Sequence, residues 1–344
     1  MTPPPQDARP SASPPAARML DVAREAGVSA MTVSRALRDP ASVSAKTLAR
    51  INEAVARIGY LPNRVAGSLS SRRGNVVGLV VPSLRNSLFA ETIQGVADIL
   101  GNAHPLMIAD GGYTLAGEEQ AVAAFLAQRV CGVVLHNTRH SARTRALLRD
   151  AGIPCVETGN LVRDPIDMAV GFSNQEAGRA MTAHLIARGY RRIGFVGLPW
   201  RENDRAAERL AGYRAALAEA GRAEDAALIH QAAPGLASGG AALAALMALP
   251  TPPDAVFLSG DVLAAGALLE AARRGWAVPG QVAIAGSDDG ELQSSLTPGV
   301  TTLRFPRHEI GRRAATMLLD RLEGRASGRA VLDLGFELVV RASA

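Results

Sequence analysis

Cysteine is scarce in this chain of 344 residues: only Cys131 and Cys155 occur, each beside an apolar run. Two thiols in that setting give no basis for a disulfide scaffold or a cysteine-based zinc site. They are expected as buried, unpaired core thiols, since free cysteine packs as a small hydrophobe. The histidines, His104, His136, His140, His184, His230 and His308, are scattered without metal-ligand spacing, so no metal is expected. Lysine is almost missing, Lys46 being the only one, and alanine is abundant. That pairing reads as coding bias, so arginine over lysine carries no chemical message. No apolar stretch reaches the length needed to cross a bilayer, and no membrane partner is expected. Residues 1–17, rich in Pro, Ser and Ala, lack the continuous apolar segment of a secretory signal. They read as a disordered arm on a protein expected to stay in the cytoplasm. The glycine-rich G-x-G-x-x-G and G-x-x-x-x-G-K-S/T patterns, G-x-S-x-G and H-E-x-x-H are absent as well. No catalytic residue and no cofactor is therefore expected.

What is present is a globular composition, 48% hydrophobic and 20% charged, with an uneven charge. Residues 1–74 hold eleven basic and five acidic side chains, whereas the remaining 270 residues hold 26 and 27. A basic head on a nearly neutral body is the footprint of a nucleic-acid binder; a solvated basic tail is the alternative. Residues 18–62 are helical in pattern, and residues 63–74 are short, basic and Ser-rich, as a linker would be.

Met19–Leu37 reads MLDVAREAGVSAMTVSRAL. Leu20–Ala26 forms a short helix, Gly27 permits a left-handed end, Val28 plugs the corner, and Ser29 is a good N-cap for the next helix. Val33, Ala36 and Leu37 supply the buried face of that second helix. Two short helices across a glycine-containing turn make a helix-turn-helix, whose second helix enters the major groove N-terminus first. Ala30 and Met31 then hold base-reading positions with apolar contacts only, and Arg35 could take a guanine through O6 and N7. Ser29, Thr32 and Ser34 would donate to phosphates. A plain helical hairpin, with these residues as caps and exposed polar groups, is the competing reading. A third helix, Ala45–Ile58, ends at Gly59 and packs through Ile51, Val55 and Ile58.

From Asn75 onward strand-like and helix-like segments alternate. Val76–Val81, Leu106–Ala109, Gly132–Leu135, Cys155–Thr158, Ile193–Gly197, Ala255–Leu258 and Val282–Ala285 suit buried parallel strands. Helical spacing lies between most of them, and Leu332–Val340 reads as closing strands. Two such series predict two doubly wound parallel sheets, with a ligand between them at the strand C-termini.

The run LDVAREAGVSAMTVSRALRDPASVSAKTLARINEAVARIGYLPNRVAGSL closely resembles the DNA-binding head of the lactose-repressor (LacI/GalR) family. The body resembles the family's sensor, of the periplasmic sugar-binding fold. VPSLRNSLFAETIQGV, DMAVGFSNQEAGRAMTAHLIARGYRRIGFVG and VLDLGFELV resemble the gluconate-operon repressor branch in particular. The resemblance implies an all-α head joined to a two-lobed α/β domain. The arm would be 1–17, the head 18–62, the hinge 63–74 and the sensor 75–344, with lobes of about 75–172 plus 304–333 and 173–303 plus 334–344. It implies a hinge helix in which Asn63 and Val65 lie near the DNA and Leu69 wedges into the minor groove. Gly67 is a departure there, costing about 1 kcal/mol in a helix relative to alanine.

In the sensor, Ser83, Asn86 and Phe89 follow the first strand, Glu157 and Asn160 the fourth, and Asp261 sits just past another. Family positions add Arg209, whose fork suits a carboxylate, and Asp288, which would accept from sugar hydroxyls. The plain alternatives are a solvated helix residue for Arg209 and cap or turn roles for Asp261 and Asp288. Gly260 replaces the asparagine usual in the family. The partners implied are palindromic operator DNA, a sugar or sugar-acid effector such as gluconate, and a second copy in a homodimer. With no heptad tail, a dimer is expected over a tetramer. The competing classes are a binding protein without regulation and, more remotely, an α/β sugar-acid enzyme.

Overall fold

The structure, a computed structural model, describes residues 17–60, 74–326, 328 and 330–344. Residues 17–60 belong to one compact unit and those from 74 onward to a second.

The first unit consists of α1 (Met19–Ala26), α2 (Ala30–Arg38) and α3 (Ala45–Ile58) around a small core of Val22, Ala26, Val33, Ala36, Ile51 and Ala54. Helix ends leave backbone groups without intrahelical partners, and each is met locally. Gly27, at φ 61°, stops α1, and Arg50 from α3 donates to the carbonyl of Ala26 at 2.5 Å. Ser29 and Ser44 accept from the amides of Thr32 and Thr47 at 3.1 and 3.2 Å, starting α2 and α3.

The second unit alternates as β1 (Val77–Val81), α4 (Leu88–Leu100), β2 (Leu106–Asp110), α5 (Leu115–Ala127), β3 (Gly132–Leu135), α6 (Ala142–Ala151), β4 (Cys155–Thr158) and β5 (Met168–Gly171). It continues as α7 (Asn174–Ala187), β6 (Ile193–Gly197), α8 (Asp204–Glu219), β7 (Ile229–Gln231), α9 (Leu236–Met247), β8 (Ala255–Ser259), α10 (Asp261–Arg274) and β9 (Ala283–Ala285). The last elements are α11 (Glu291–Ser295), β10 (Thr302–Arg304), α12 (Arg307–Leu322), β11 (Ala330–Asp333) and β12 (Glu337–Val339). Six strands form one parallel sheet in the order β11-β5-β4-β3-β1-β2, and four form another in the order β7-β6-β8-β9. Both are buried by helices, which explains why β1, β3, β6 and β8 are buried at every residue and read as unbroken apolar runs.

Leu236–Met247 and Arg307–Leu322, to which no element is assigned from sequence, are both helices. The closing segment is two strands with different partners: β11 joins the edge of the six-stranded sheet, while β12 pairs antiparallel with β10. This ribbon stands with the passage Gly171–Asn174 as a connection between the lobes. Cys131 and Cys155 are buried and neither forms a disulfide; the Cys131 thiol donates to the carbonyl of Val76 at 3.2 Å.

Candidate functional site

In the first unit, α2 presents a graded surface. Met31 is 71% exposed and Arg35 is exposed, while Thr32 and Ser34 are half-buried. Ala30 is half-buried against the helical core. Ser29 Oγ already accepts the Thr32 amide and lies 2.8 Å from Thr32 Oγ1, so the two hydroxyls meet each other. The free reach of this face therefore rests on Met31 and Arg35. Asn63, Val65 and Leu69 lie outside the described residues.

In the second unit a cleft opens at the C-terminal ends of the parallel strands, where open α/β sheets bind ligands. Residues just beyond β1, β3, β4, β6, β8 and β9 line it, joined by the first turns of α8, α10 and α12. Asn86, Phe89, Arg209, Asp261 and Asp288 are all among the lining residues. Ser83, Glu157 and Asn160 are not. Ser83 Oγ accepts from the Arg85 amide and shapes its own loop. Glu157 lies within β4 rather than past its end, fully buried, accepting from the Ile166 amide at 2.7 Å and meeting His140. Asn160 is fully buried and its carbonyl accepts from Asn174 Nδ2 at 3.0 Å. Gly159, not Asn160, reaches the cleft after β4.

Three guanidinium groups converge here: Arg205 and Arg209, one turn apart on α8, and Arg307 at the start of α12. Arg209 donates to Asn174 Oδ1 at 2.8 Å, Ser287 Oγ at 3.1 Å and Asp288 Oδ1 at 3.3 Å. Arg307 donates to both the carbonyl and the carboxylate of Asp288. Phe305 lies under both, with the Arg209 and Arg307 carbons 5.1 and 5.3 Å from its ring centre, and it stacks on Phe172 at 3.9 Å. Arg205 donates to the carbonyl of His136 and to Asn137 Oδ1.

The charges set one another. Burial alone would raise the Asp288 carboxyl, but the Arg209 and Arg307 charges outweigh it and hold it below the usual range. Burial and then the Asp288 charge push Asp261 up to about 6. Burial, followed by the Arg205, Arg307 and Arg209 charges, drives His136 well below the ordinary histidine value, so it is a neutral ring at the cleft wall. Asp204 is engaged elsewhere, accepting from the Thr138 amide at 3.0 Å and hydroxyl at 2.5 Å. The buried Ser259 hydroxyl, also lining the cleft, has no hydrogen-bond partner among the described residues. The arrangement can thus take an anion on its arginines and a hydroxyl-bearing chain along Asp261, Asp288 and Ser259. Arg205, His136, Ser259 and Arg307 are absent from the expected site. Arg205 is legible from its i, i+4 spacing to Arg209; Arg307 opens a helix to which no element is assigned from the sequence.

Asp288 and Asp289 face different ways. Asp289 accepts from Arg304 at 2.7 Å and Arg341 at 2.6 Å, on the ribbon side. Among the described residues no group of three or more His, Cys, Asp or Glu is arranged to hold a metal ion, and no helix is long and apolar enough to cross a membrane.

A helix-turn-helix head and a two-lobed, parallel-sheet domain together point to a DNA-binding regulator. Residues 18–63 match the lacI family of bacterial regulatory proteins, and residues 182–344 match the periplasmic binding protein-like domain. The HTH-type transcriptional regulator GntR of Pseudomonas aeruginosa is 37% identical over 333 residues, covering 94% of each chain. A solved LacI family regulator from Silicibacter pomeroyi superposes with a TM-score of 0.87 at 34% identity, over 95% of this chain and 99% of that one. The Lac repressor dimer solved with operator and the anti-inducer ONPF gives 0.80 at 26% identity, over 95% and 99%. The chain belongs to the LacI family of transcriptional regulators. Members of that family are DNA-binding regulators, not enzymes.

Proposed function

We propose that this chain is a repressor whose operator affinity is set by a sugar-acid effector, gluconate or a close relative, held between the lobes. The observation that carries this reading is the convergence of Arg205, Arg209 and Arg307 on one cleft in which Asp288 is shared by two of them and Asp261 sits near 6. Each guanidinium carries five N–H donors, more than the protein acceptors named above use, and a ligand carboxylate would take the remainder. Asp288, Asp261 and the Ser259 hydroxyl suit the hydroxyls of the same ligand. The residues Asn86 and Phe89 form the first-lobe wall. The resemblance to GntR-type relatives supports the same class of effector.

The DNA side is proposed to use Met31 and Arg35 toward base edges and Ala30, Ser29, Thr32 and Ser34 for fit and phosphate contact, with Asn63, Val65 and Leu69 of the hinge at the operator centre. Two copies, read as a homodimer on a palindromic site, would place two heads one or more helical turns apart. Effector shifts operator affinity only through its different affinity for the two protein states, typically about 1–3 kcal/mol. The test is selection of genomic fragments by the purified chain, with and without millimolar gluconate. The reading expects palindromic fragments whose retention changes at least fivefold with gluconate and which Arg35→Ala no longer retains. Palindromic fragments indifferent to gluconate would reject the effector; no selected sequence would reject the regulator.

A further inference from the structure

We infer that His140, held between the carboxylates of Glu118 and Glu157, is a positioning residue for the cleft, fixing through Glu118 and Asn137 the Arg205 guanidinium that a ligand would meet. The inference rests on the reading of the cleft as the effector site. His140 Nδ1 lies 2.6 Å from Glu118 Oε1 and Nε2 lies 2.7 Å from Glu157 Oε1, with all three side chains buried. The second oxygen of Glu118 accepts from Asn137 Nδ2 at 3.0 Å, and Asn137 Oδ1 accepts from Arg205 at 2.8 Å. The second oxygen of Glu157 is fixed by the Ile166 amide. A continuous chain of bonds thus runs from the back of the first lobe, across Asn137, to an arginine of the second lobe in the cleft. The same loop holds the lobes together through Thr138 and Asp204, and Arg139 donates to the carbonyl of Arg201 at 2.8 Å.

With both ring nitrogens facing carboxylate oxygens, only the doubly protonated ring donates to both. Burial lowers the imidazolium's pKa, but the hydrogen bonds and charges of Glu118 and Glu157 outweigh it and push His140 up to about 9. When the proton leaves to solvent, one carboxylate faces a lone pair, and a buried acceptor without a donor is costly. The charged and titratable groups around the ring are Glu118 and Glu119 on α5, Glu157 and Cys155 on β4, Arg143 and Arg145 on α6, and Asp167 before β5. Burial and then Glu157 raise the Cys155 thiol well above its ordinary value, so it stays protonated. In the cleft, Asp261 is ionised above pH 7.5, His136 is already neutral, and burial raises the Tyr113 phenol. Between pH 7.5 and 10, His140 changes charge.

The test is calorimetric titration of the full chain with gluconate at steps from pH 7.5 to 10, on wild type, His140→Gln and Glu118→Gln. If only the His140-protonated form is competent, wild-type affinity falls about tenfold by pH 10, as the competent fraction does. His140→Gln should bind more weakly at pH 7.5 and show no fall. Glu118→Gln should move the fall to lower pH, because one charge holding the proton is gone. Gluconate binding that is flat with pH, or a fall retained in His140→Gln, overturns the inference and leaves the effector reading standing. Absence of gluconate binding at pH 7.5 counts against the effector reading alone, and a ligand-free measurement then decides on His140. Trp200 sits in the loop tied to the first lobe by Glu202, which accepts from the Leu115 amide at 3.0 Å. In a Trp276→Phe background its emission should shift with a midpoint near pH 9, and His140→Gln should abolish the shift. No shift, or the same shift in the variant, overturns the inference.

Discussion

Arg209 keeps a guanidinium where burial pulls its pKa down, and Asp288 beside it pulls it back up. Its Nε and terminal nitrogens engage three different acceptors, a geometry a lysine ammonium cannot reproduce. Arg209→Lys should therefore fold, with thermal unfolding still cooperative, yet bind gluconate at least about tenfold more weakly, a loss of about 1.4 kcal/mol. Asp261 is the opposite case, an acid held near 6 by burial and by Asp288. Because that value lies above the unfolded 3.8, its contribution to stability is full below about pH 4 and is lost as pH rises through 6. Asp261→Asn should stabilise the chain by about 1–3 kcal/mol at pH 7.5, and the gain should shrink toward zero by pH 4 in urea titrations. A constant difference across that range would show that Asp261 does not carry the penalty. Retention of a costly carboxylate at the cleft is what a ligand-binding role would require.

At the scale of elements, α7 and α8 approach through reciprocal glycines. A Cβ on Gly178 would lie 2.3 Å from the Arg209 carbonyl, and one on Gly212 would lie 2.0 Å from that of Gln175. The helix that carries Arg205 and Arg209 is thus placed by backbone contact with α7. Gly178→Ala should cost about 1–3 kcal/mol through overpacking and, by pushing on the Arg209 backbone, weaken gluconate binding; calorimetry and urea unfolding on one sample check both. The same elements explain what the sequence made legible. The fully buried strands at Gly132–Leu135 and Ile193–Gly197 are apolar runs, and these two and Cys155–Thr158 have in the fold the bounds read from the sequence. α9, LASGGAALAALM, is apolar on nearly every side and carries a glycine pair, so it shows little helical period. α12 buries Gly311, Ala314 and Ala315 beside only two larger apolar residues, Ile310 and Leu318, and carries four arginines, Arg307, Arg312, Arg313 and Arg321. Missing α12 concealed Arg307. The cleft residues legible from sequence were those just past a strand or on α8; Glu157 misled because one step along a strand exchanges the cleft for the buried layer behind it.

Across the whole second unit, polar contacts join the rims of the two lobes: Asp204 to Thr138, Arg205 to His136 and Asn137, Glu202 to Leu115. Such contacts suit a reversible closure at the cleft mouth, while behind them one apolar core runs from the first sheet to the second through Phe172 and Phe305. Asp204→Ala removes the shared acceptor of the Thr138 amide and hydroxyl, and should raise the radius of gyration of the ligand-free chain in small-angle scattering. An unchanged radius would deny Asp204 a part in closure. The ribbon of β10 and β12, tied to Asp289 through Arg304 and Arg341, is positioned to carry such a movement from the cleft wall, since Asp288 is its immediate neighbour. The central claim, that the cleft reads an anionic sugar, is tested most directly by calorimetric titration of the full chain at pH 7.5 with gluconate, ribose and a neutral hexose. The account predicts micromolar binding of gluconate and no comparable heat from the neutral sugars; tight binding of a neutral sugar with silence for gluconate would contradict it.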